Sequence, residues 1–198
     1  MEMKVYGAYG SNINLEQMAC RCPNADVYKV GYINGYRLTF RSGGFANIEK
    51  SEGDRVPVLL WTITEQCERA LDHYEGYPSF YIKQDIPVEI DDGNDEIEAM
   101  FYVMTAEHCR KMRPPTQYYY RGIERGYESN GMPTVELKAA FERCMAEMND
   151  KTYSCNGCGQ RLDFDRDVIW VTSSYGLCEK CYDKLSEAEL EKIREEYE

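Results

Sequence analysis

The sequence predicts an α+β domain built on a curved sheet or small barrel, followed by a short module of different logic. Two observations carry this. Strand-like segments, one helix, a hairpin and further helices succeed one another without regular βαβ alternation, which disfavours a doubly wound parallel sheet. Helical periodicity then breaks around residues 148–152, and paired cysteines take over. We read residues 1–150 as the first domain and residues 151–198 as the second.

Lys4 to Tyr9 reads as a buried strand ending at Gly10. Asn14-Leu-Glu-Gln17 has the spacing of a helix start whose polar side chains satisfy orphan N–H groups, and Pro23 bars continuation. Val27 to Phe40 suits strands bent or bulged at Gly31 and Gly35. Val56 to Ile63 reads as a central strand. Thr64 can cap a helix from Glu65, with Cys67, Leu71 and Tyr74 on one face and Gly76 as terminator. Tyr81 to Ile90 and Ile97 to Met104 form a hairpin around the turn signal Asp91-Asp-Gly-Asn94. Tyr118 to Tyr127 reads as helical, and Leu137, Phe141, Cys144 and Met148 mark an amphipathic helix.

Apolar residues make up 43% of the 198, enough for a packed core. Asp and Glu outnumber Lys and Arg 35 to 23, a net charge of −12 that repels phosphate backbones, so nucleic acid is disfavoured as a partner. The strongly apolar run Val56 to Ile63 is far shorter than the roughly 20 residues of a spanning helix. Met1 runs into a strand-like segment without a basic start, apolar run and cleavage site, so no export signal is expected. A cytoplasmic protein without a membrane partner is expected, and in that compartment nine cysteines are thiols or metal ligands before they are disulfides.

Cys155-Asn-Gly-Cys158 and Cys178-Glu-Lys-Cys181 are two C-x2-C pairs nineteen residues apart. Each pair places two thiolates on one side of a tight turn, and two such turns close a tetrahedron around Zn²⁺. So short a segment buries little surface, and a metal staple would complete its fold. Phe164 and Val168 to Val171 are expected to supply the intervening strands, and Ser186-x-x-Glu189 to start the last helix. The competing reading is four reduced surface thiols. Four thiolates leave no open position, so a structural zinc is expected, in a zinc-ribbon-like module that could dock a protein. Cys67 and Cys144 fall on apolar helix faces and read as core; Cys20, Cys22 and Cys109 show no second ligand spacing.

Tyr6-x-x-Tyr9-Gly10-Ser11-Asn12 lies between a strand end and a helix start. A glycine free to take positive φ, short polar side chains and N–H groups at a helix start could hold a carboxylate or oxyanion. A plain tight turn explains the tetrad equally well. Glu75 stands at a helix end, where its charge is disfavoured, among Tyr74, Tyr77, Phe80 and Tyr81. Burial there would raise its pKa toward neutrality, as suits a general acid/base. An exposed helix-end Glu is the plainer alternative.

Together these segments carry a resemblance. Tyr6-Gly-Ala-Tyr9-Gly-Ser-Asn12, Arg21-Cys-Pro23, Ala46-Asn-Ile48, Leu71-Asp-x-Tyr-Glu-Gly-Tyr-Pro78, Tyr81, and Pro114-Pro115 with Tyr119, Gly126 and Gly131 occur in that order. The first domain resembles the γ-glutamylcyclotransferase-like family, of bacterial type; the cysteine module is not part of that family's usual domain. The resemblance implies a small mixed β-barrel flanked by helices. It also implies conversion of a γ-glutamyl amine or γ-glutamyl amino acid to 5-oxoproline and a free amine, with no cofactor for catalysis. Glu75 would be the acid/base, Gly10, Ser11 and Asn12 would hold substrate beside Tyr9, and Tyr81 and Tyr119 would line the pocket; Tyr118 and Tyr120 leave the last register open by one. The alternative from a different class is a ligand-binding or docking scaffold of the same fold, its zinc module recruiting a partner. A nucleic-acid-binding zinc protein is the weakest reading, on charge.

Overall fold

The computed structural model describes residues 3–90, 93, 95–110, 112–149, 152–163, 167–172 and 175–197. It divides into two compact units, Met1–Glu147 and Met148–Glu198. In the first, runs rich in β-branched and aromatic residues form five strands: β1 (Lys4–Ala8), β2 (Asp26–Arg41), β3 (Phe45–Ile63), β4 (Tyr81–Ile90) and β5 (Asp95–Met104). They close into a barrel in the order β1-β3-β2-β4-β5. Neighbours are antiparallel except β1 and β5, which run parallel with Tyr6 opposite Met100. The barrel is therefore mixed, as the resemblance implies.

Strand β3 starts eleven residues before the expected Val56. The polar stretch of residues 51–54 hides this extension, because it lies unpaired in the middle of a long β2–β3 ribbon, where the register shifts in a bulge between Asn34 and Tyr36. Gly35 makes that bulge at φ 74°, as expected. Gly31 makes none. A Cβ there would stand 2.6 Å from Val88 Cγ1, so the glycine lets β4 pass close to β2.

Four helices flank the barrel: α1 (Leu15–Arg21), α2 (Glu65–Glu75), α3 (Gln117–Ser129) and α4 (Val135–Asn149). The Asn14 side chain accepts from Gln17 N–H at 3.1 Å and starts α1. Thr64 does the same for Cys67 at the start of α2. Gly76 ends α2 in the left-handed region at φ 65°. Cys67 and Leu71 are buried as the pattern requires, but Tyr74 is 47% exposed. The last turn of α2 runs past the core, and Tyr74 covers Arg21 instead. On α4, Leu137 and Cys144 are buried, whereas Met148 is exposed.

The second unit pairs β6 (Thr152–Ser154) with β7 (Arg161–Asp163), and β8 (Ile169–Trp170) with β9 (Gly176–Leu177), followed by α5 (Glu179–Tyr182) and α6 (Glu187–Tyr197). Ser186 and Glu189 cap α6 reciprocally: Ser186 N–H donates to Glu189 Oε2 at 2.8 Å, and Glu189 N–H donates to Ser186 Oγ at 3.4 Å. Phe164, and the turn residues Asp91, Asp92 and Asn94, lie outside the described residues. Among the described residues, no helix is long and apolar enough to cross a membrane.

Asn47 ties β3 to β5 from inside the core. Its Oδ1 accepts from Met104 N–H at 2.9 Å, and its Nδ2 donates to Cys109 Sγ at 3.3 Å. Asn47→Ala leaves the buried amide of Met104 unpaired and is expected to cost about 1–3 kcal/mol. Urea denaturation checks this as a lower midpoint with an unchanged slope.

Candidate active site

Strand β1 delivers the chain into Gly10 and a 3₁₀ turn, Ser11–Ile13, at the barrel mouth. Helix α3 presses on this turn from behind. Asn14 Nδ2 donates to Gly122 C=O, and Asn130 Nδ2 donates to Ile13 C=O, each at 3.2 Å. A Cβ on Gly126 would stand 2.9 Å from Asn14 N, so only glycine lets the helix approach this closely.

Glu75 is the last residue of α2 and is half-buried. Its Oε1 accepts from Asn12 Nδ2 at 2.9 Å, the one hydrogen bond the carboxyl makes among the described residues. Asn12 Nδ2 also donates to the Tyr6 hydroxyl at 2.7 Å. Asn12 Oδ1 accepts from Arg21 Nη1 at 2.5 Å. A guanidinium only donates, so Arg21 fixes which end of the Asn12 amide faces Glu75. Arg21 also donates to Ser11 Oγ, Gln17 Oε1 and the Tyr74 hydroxyl, with its guanidinium carbon 3.8 Å from the Tyr74 ring centroid.

Below Glu75 is a narrow chamber walled by Tyr6, Tyr9, Gly10, Asn12, Ala46, Tyr81, Tyr102 and Tyr119. The peptide groups of Ala46 anchor two of these rings. Tyr81 donates to Ala46 C=O at 2.8 Å, and Ala46 N–H donates to the Tyr119 hydroxyl at 3.2 Å. The Tyr9 hydroxyl donates to Tyr102 C=O. The chamber opens past Glu75 into an outer basin of about 300 Å³.

Burial pushes the Glu75 carboxyl up to about 7, while the Asn12 hydrogen bond and the Arg21 charge pull the other way. Burial also raises Tyr6, Tyr9, Tyr81 and Tyr119 above the ordinary phenol value, and the Glu75 charge adds to it in each case. The chamber is thus a set of neutral hydroxyls around one carboxyl able to take and return a proton near neutral pH.

All seven residues named from the sequence for this site, Tyr9, Gly10, Ser11, Asn12, Glu75, Tyr81 and Tyr119, line the chamber. The tyrosine register resolves at Tyr119: Tyr118 is 80% exposed, and Tyr120 packs on Phe40 and Phe141. Three expectations change. Gly10 has φ −115° and supplies space rather than a left-handed turn, since a Cβ would stand 3.2 Å from that of Ala46. Tyr74 and Tyr77 do not bury Glu75; both are more than 40% exposed. The Asn12 side chain is committed to Arg21, Tyr6 and Glu75. Sequence reasoning gave no role to Tyr6, Tyr102, Arg21 or the Ala46 peptide. The signals available were the motifs of the resemblance, which include Tyr6, Arg21 and Ala46, and the spacing of Arg21 four residues after Gln17 on α1.

In the second unit the Sγ atoms of Cys155, Cys158, Cys178 and Cys181 lie within 4.8 Å of one another. Cys158 and Cys178 are 3.9 Å apart, against about 3.8 Å for a tetrahedron with Zn–S of about 2.3 Å. Cys178 N–H donates to Cys155 Sγ at 3.3 Å. A Cβ on Gly157 would stand 3.0 Å from Cys181 Sγ, so the first knuckle needs its glycine to close.

The fold and site together are a closed mixed barrel flanked by helices, with one half-buried carboxyl of raised pKa beside a polar turn at its mouth. Residues 5–121 match the family model described as gamma-glutamyl cyclotransferase, AIG2-like, and the chain belongs to this family. It is 32% identical to the gamma-glutamylcyclotransferase of Bos taurus and 31% identical to that of Homo sapiens, each over 67% of this chain and 74% of the relative. A solved structure of a gamma-glutamyl cyclotransferase superposes with a TM-score of 0.63 at 29% identity, covering 73% of this chain and 88% of the other. The cysteine cluster lies beyond the residues matched by the family model.

The raised value of Glu75 sets a pH dependence of stability. Below about 4.5, its ordinary value, the carboxyl is neutral in folded and unfolded chains alike and costs nothing. Between about 4.5 and 7 the unfolded chain ionises first, so the stability contribution falls as pH rises, and above 7 the full cost is present. Glu75→Gln removes it. The stability gain of the variant over wild type is expected to grow across this window, up to about 3 kcal/mol, and then level off. Urea denaturation at pH 4, 6 and 8 measures it; a difference independent of pH would mean an unshifted carboxyl.

Proposed function

We propose that this chain is a γ-glutamylcyclotransferase-type enzyme that converts a γ-glutamyl amine or γ-glutamyl amino acid to 5-oxoproline and a free amine. The observation that carries this reading is the place of the Glu75 carboxyl in the chamber wall, with Oε1 held by Asn12 and, among the described residues, its other oxygen without a hydrogen-bond partner; burial there pushes its pKa up to about 7.

In the proposed reaction, Glu75 takes a proton from the substrate α-ammonium. The freed amine attacks the γ-carbonyl carbon of the same molecule, and the new C–N bond closes a five-membered ring. Glu75 returns that proton to the departing nitrogen as the original C–N bond breaks, and relays to the same nitrogen the second proton that the ring nitrogen sheds. No net proton is consumed, so one group with a value near neutrality serves both halves. The first N–H groups of a helical turn lack partners inside it. Here they belong to Ser11 and Asn12, which with Gly10 would hold the substrate carboxylate or the developing oxyanion. Tyr9, Tyr81 and Tyr119 would keep the glutamyl chain folded for attack. No step involves a metal. The Cys155, Cys158, Cys178 and Cys181 thiolates would hold a structural zinc with no open position.

Glu75→Gln keeps the side-chain shape but cannot accept the proton. Release of 5-oxoproline, followed by mass spectrometry, is expected to drop at least 10²–10⁴-fold (roughly) with the fold intact. An active variant would remove Glu75 from the reaction. A wild-type chain that binds γ-glutamyl compounds without turning them over would favour the scaffold reading.

Protein made with zinc present is expected to carry about one zinc per chain by elemental analysis, and Cys158→Ser with Cys181→Ser to abolish it. Metal-free wild type would instead make the cluster four thiols.

A further inference from the structure

If the chamber takes the glutamyl group, the basin beside Glu75 receives whatever that group is attached to. The inference that follows rests on the cyclotransferase reading. The basin shares Ser11, Glu75, Tyr81 and Tyr119 with the chamber, and its outer walls are largely rings. Phe45 meets Phe80 edge-on at 5.9 Å between centroids and meets Tyr119 edge-on at 5.8 Å. Phe80 is backed by His108 at 4.3 Å. Phe45 is 44% exposed, held over the basin just after the β2–β3 turn.

The charge of the basin is as informative as its shape. Among the described residues no lysine or arginine lines it, and the acidic or basic side chains on its wall are Glu75 and His73. Arg21 neighbours it through Ser11 and Tyr74, but already donates to Ser11, Asn12, Gln17 and Tyr74. Lys83 is tied to Glu68 and Asp72. A leaving group with its own carboxylate would bring a second negative charge beside Glu75 without an arginine or lysine to offset it. An uncharged ring or bulky apolar group would bury its surface against three aromatic faces.

We propose that the preferred substrate is a γ-glutamyl amide of an amine bearing an uncharged aromatic or bulky apolar group, seated among Phe45, Phe80 and Tyr119. The test compares 5-oxoproline release by the full chain from γ-glutamylbenzylamide, γ-glutamylmethylamide and γ-glutamylphenylalanine. The first two differ by the ring, and the third adds to the first one chain carbon that bears a carboxylate. The benzylamide is expected to exceed each of the others at least tenfold (roughly) in kcat/KM, the scale of burying one ring. In Phe45→Ala and Phe80→Ala the ratio of benzylamide to methylamide is expected to fall several-fold. Phe45 is exposed enough for its variant to fold even if that of Phe80 does not. Release of 5-oxoproline with a preference for the methylamide or the phenylalanine derivative overturns the proposal, as does an unchanged ratio in Phe45→Ala. Release from none of the three sinks the cyclotransferase reading itself and this inference with it.

Discussion

The side-chain amide of Asn12 has two ends, and each is taken. Arg21 occupies the oxygen, so the nitrogen must serve Tyr6 and Glu75. That allocation joins four elements: the middle of β1, the turn after it, the last residue of α1 and the last residue of α2. Each arrives there for a local reason. Asn14 starts α1 so that Arg21 falls in its final turn. Gly76 stops α2 at Glu75. Helix α3 holds the turn in place through Gly122 and Asn130. The carboxyl is left half-buried, with one oxygen committed and one available, and burial outweighs the neighbouring positive charge in setting its proton affinity.

Much of this was legible in the residues. Capping residues write helix boundaries locally, so Asn14, Thr64, Gly76 and Ser186 marked their helices from sequence alone. Alternation and β-branching gave β4 and β5 for the same reason. Glu75 and the turn after β1 stood out once the motifs were read together. What stayed hidden was set by distance along the chain. The middle of β3, residues 49–55, is polar, which hides that the strand runs on to Phe45 beside β2. Tyr102 reaches the site through barrel closure, which no local pattern records; Tyr6 and Arg21 stood in the motifs, but the motifs do not record which partners they meet there. Gly31 read as a bend, but its reason is the passage of β4.

The two units solve the problem of stability differently. The first buries a large apolar core inside and around its barrel. Among the described residues, the second buries a cluster of four, Cys155, Leu162, Leu177 and Cys178. Two of those four are members of the cysteine set, so the small core and the candidate metal site are the same place. This is the economy expected of a short segment whose hydrophobic surface is too small to fold it unaided.

Two of the chamber's tyrosines are anchored to a peptide rather than to a side chain. The C=O and N–H of Ala46 hold Tyr81 and Tyr119, and Ala46 stands one position after the start of β3. Main-chain groups alternate in direction along a strand, so what matters at this position is parity rather than identity. Other small residues could occupy position 46 and keep both hydroxyls bound. Lengthening or shortening the turn between Arg41 and Phe45 by a single residue would point these peptide groups the opposite way and release both rings. The pocket is in this respect written in the length of a loop, and a gap in an alignment there would say more about a relative's chemistry than any substitution.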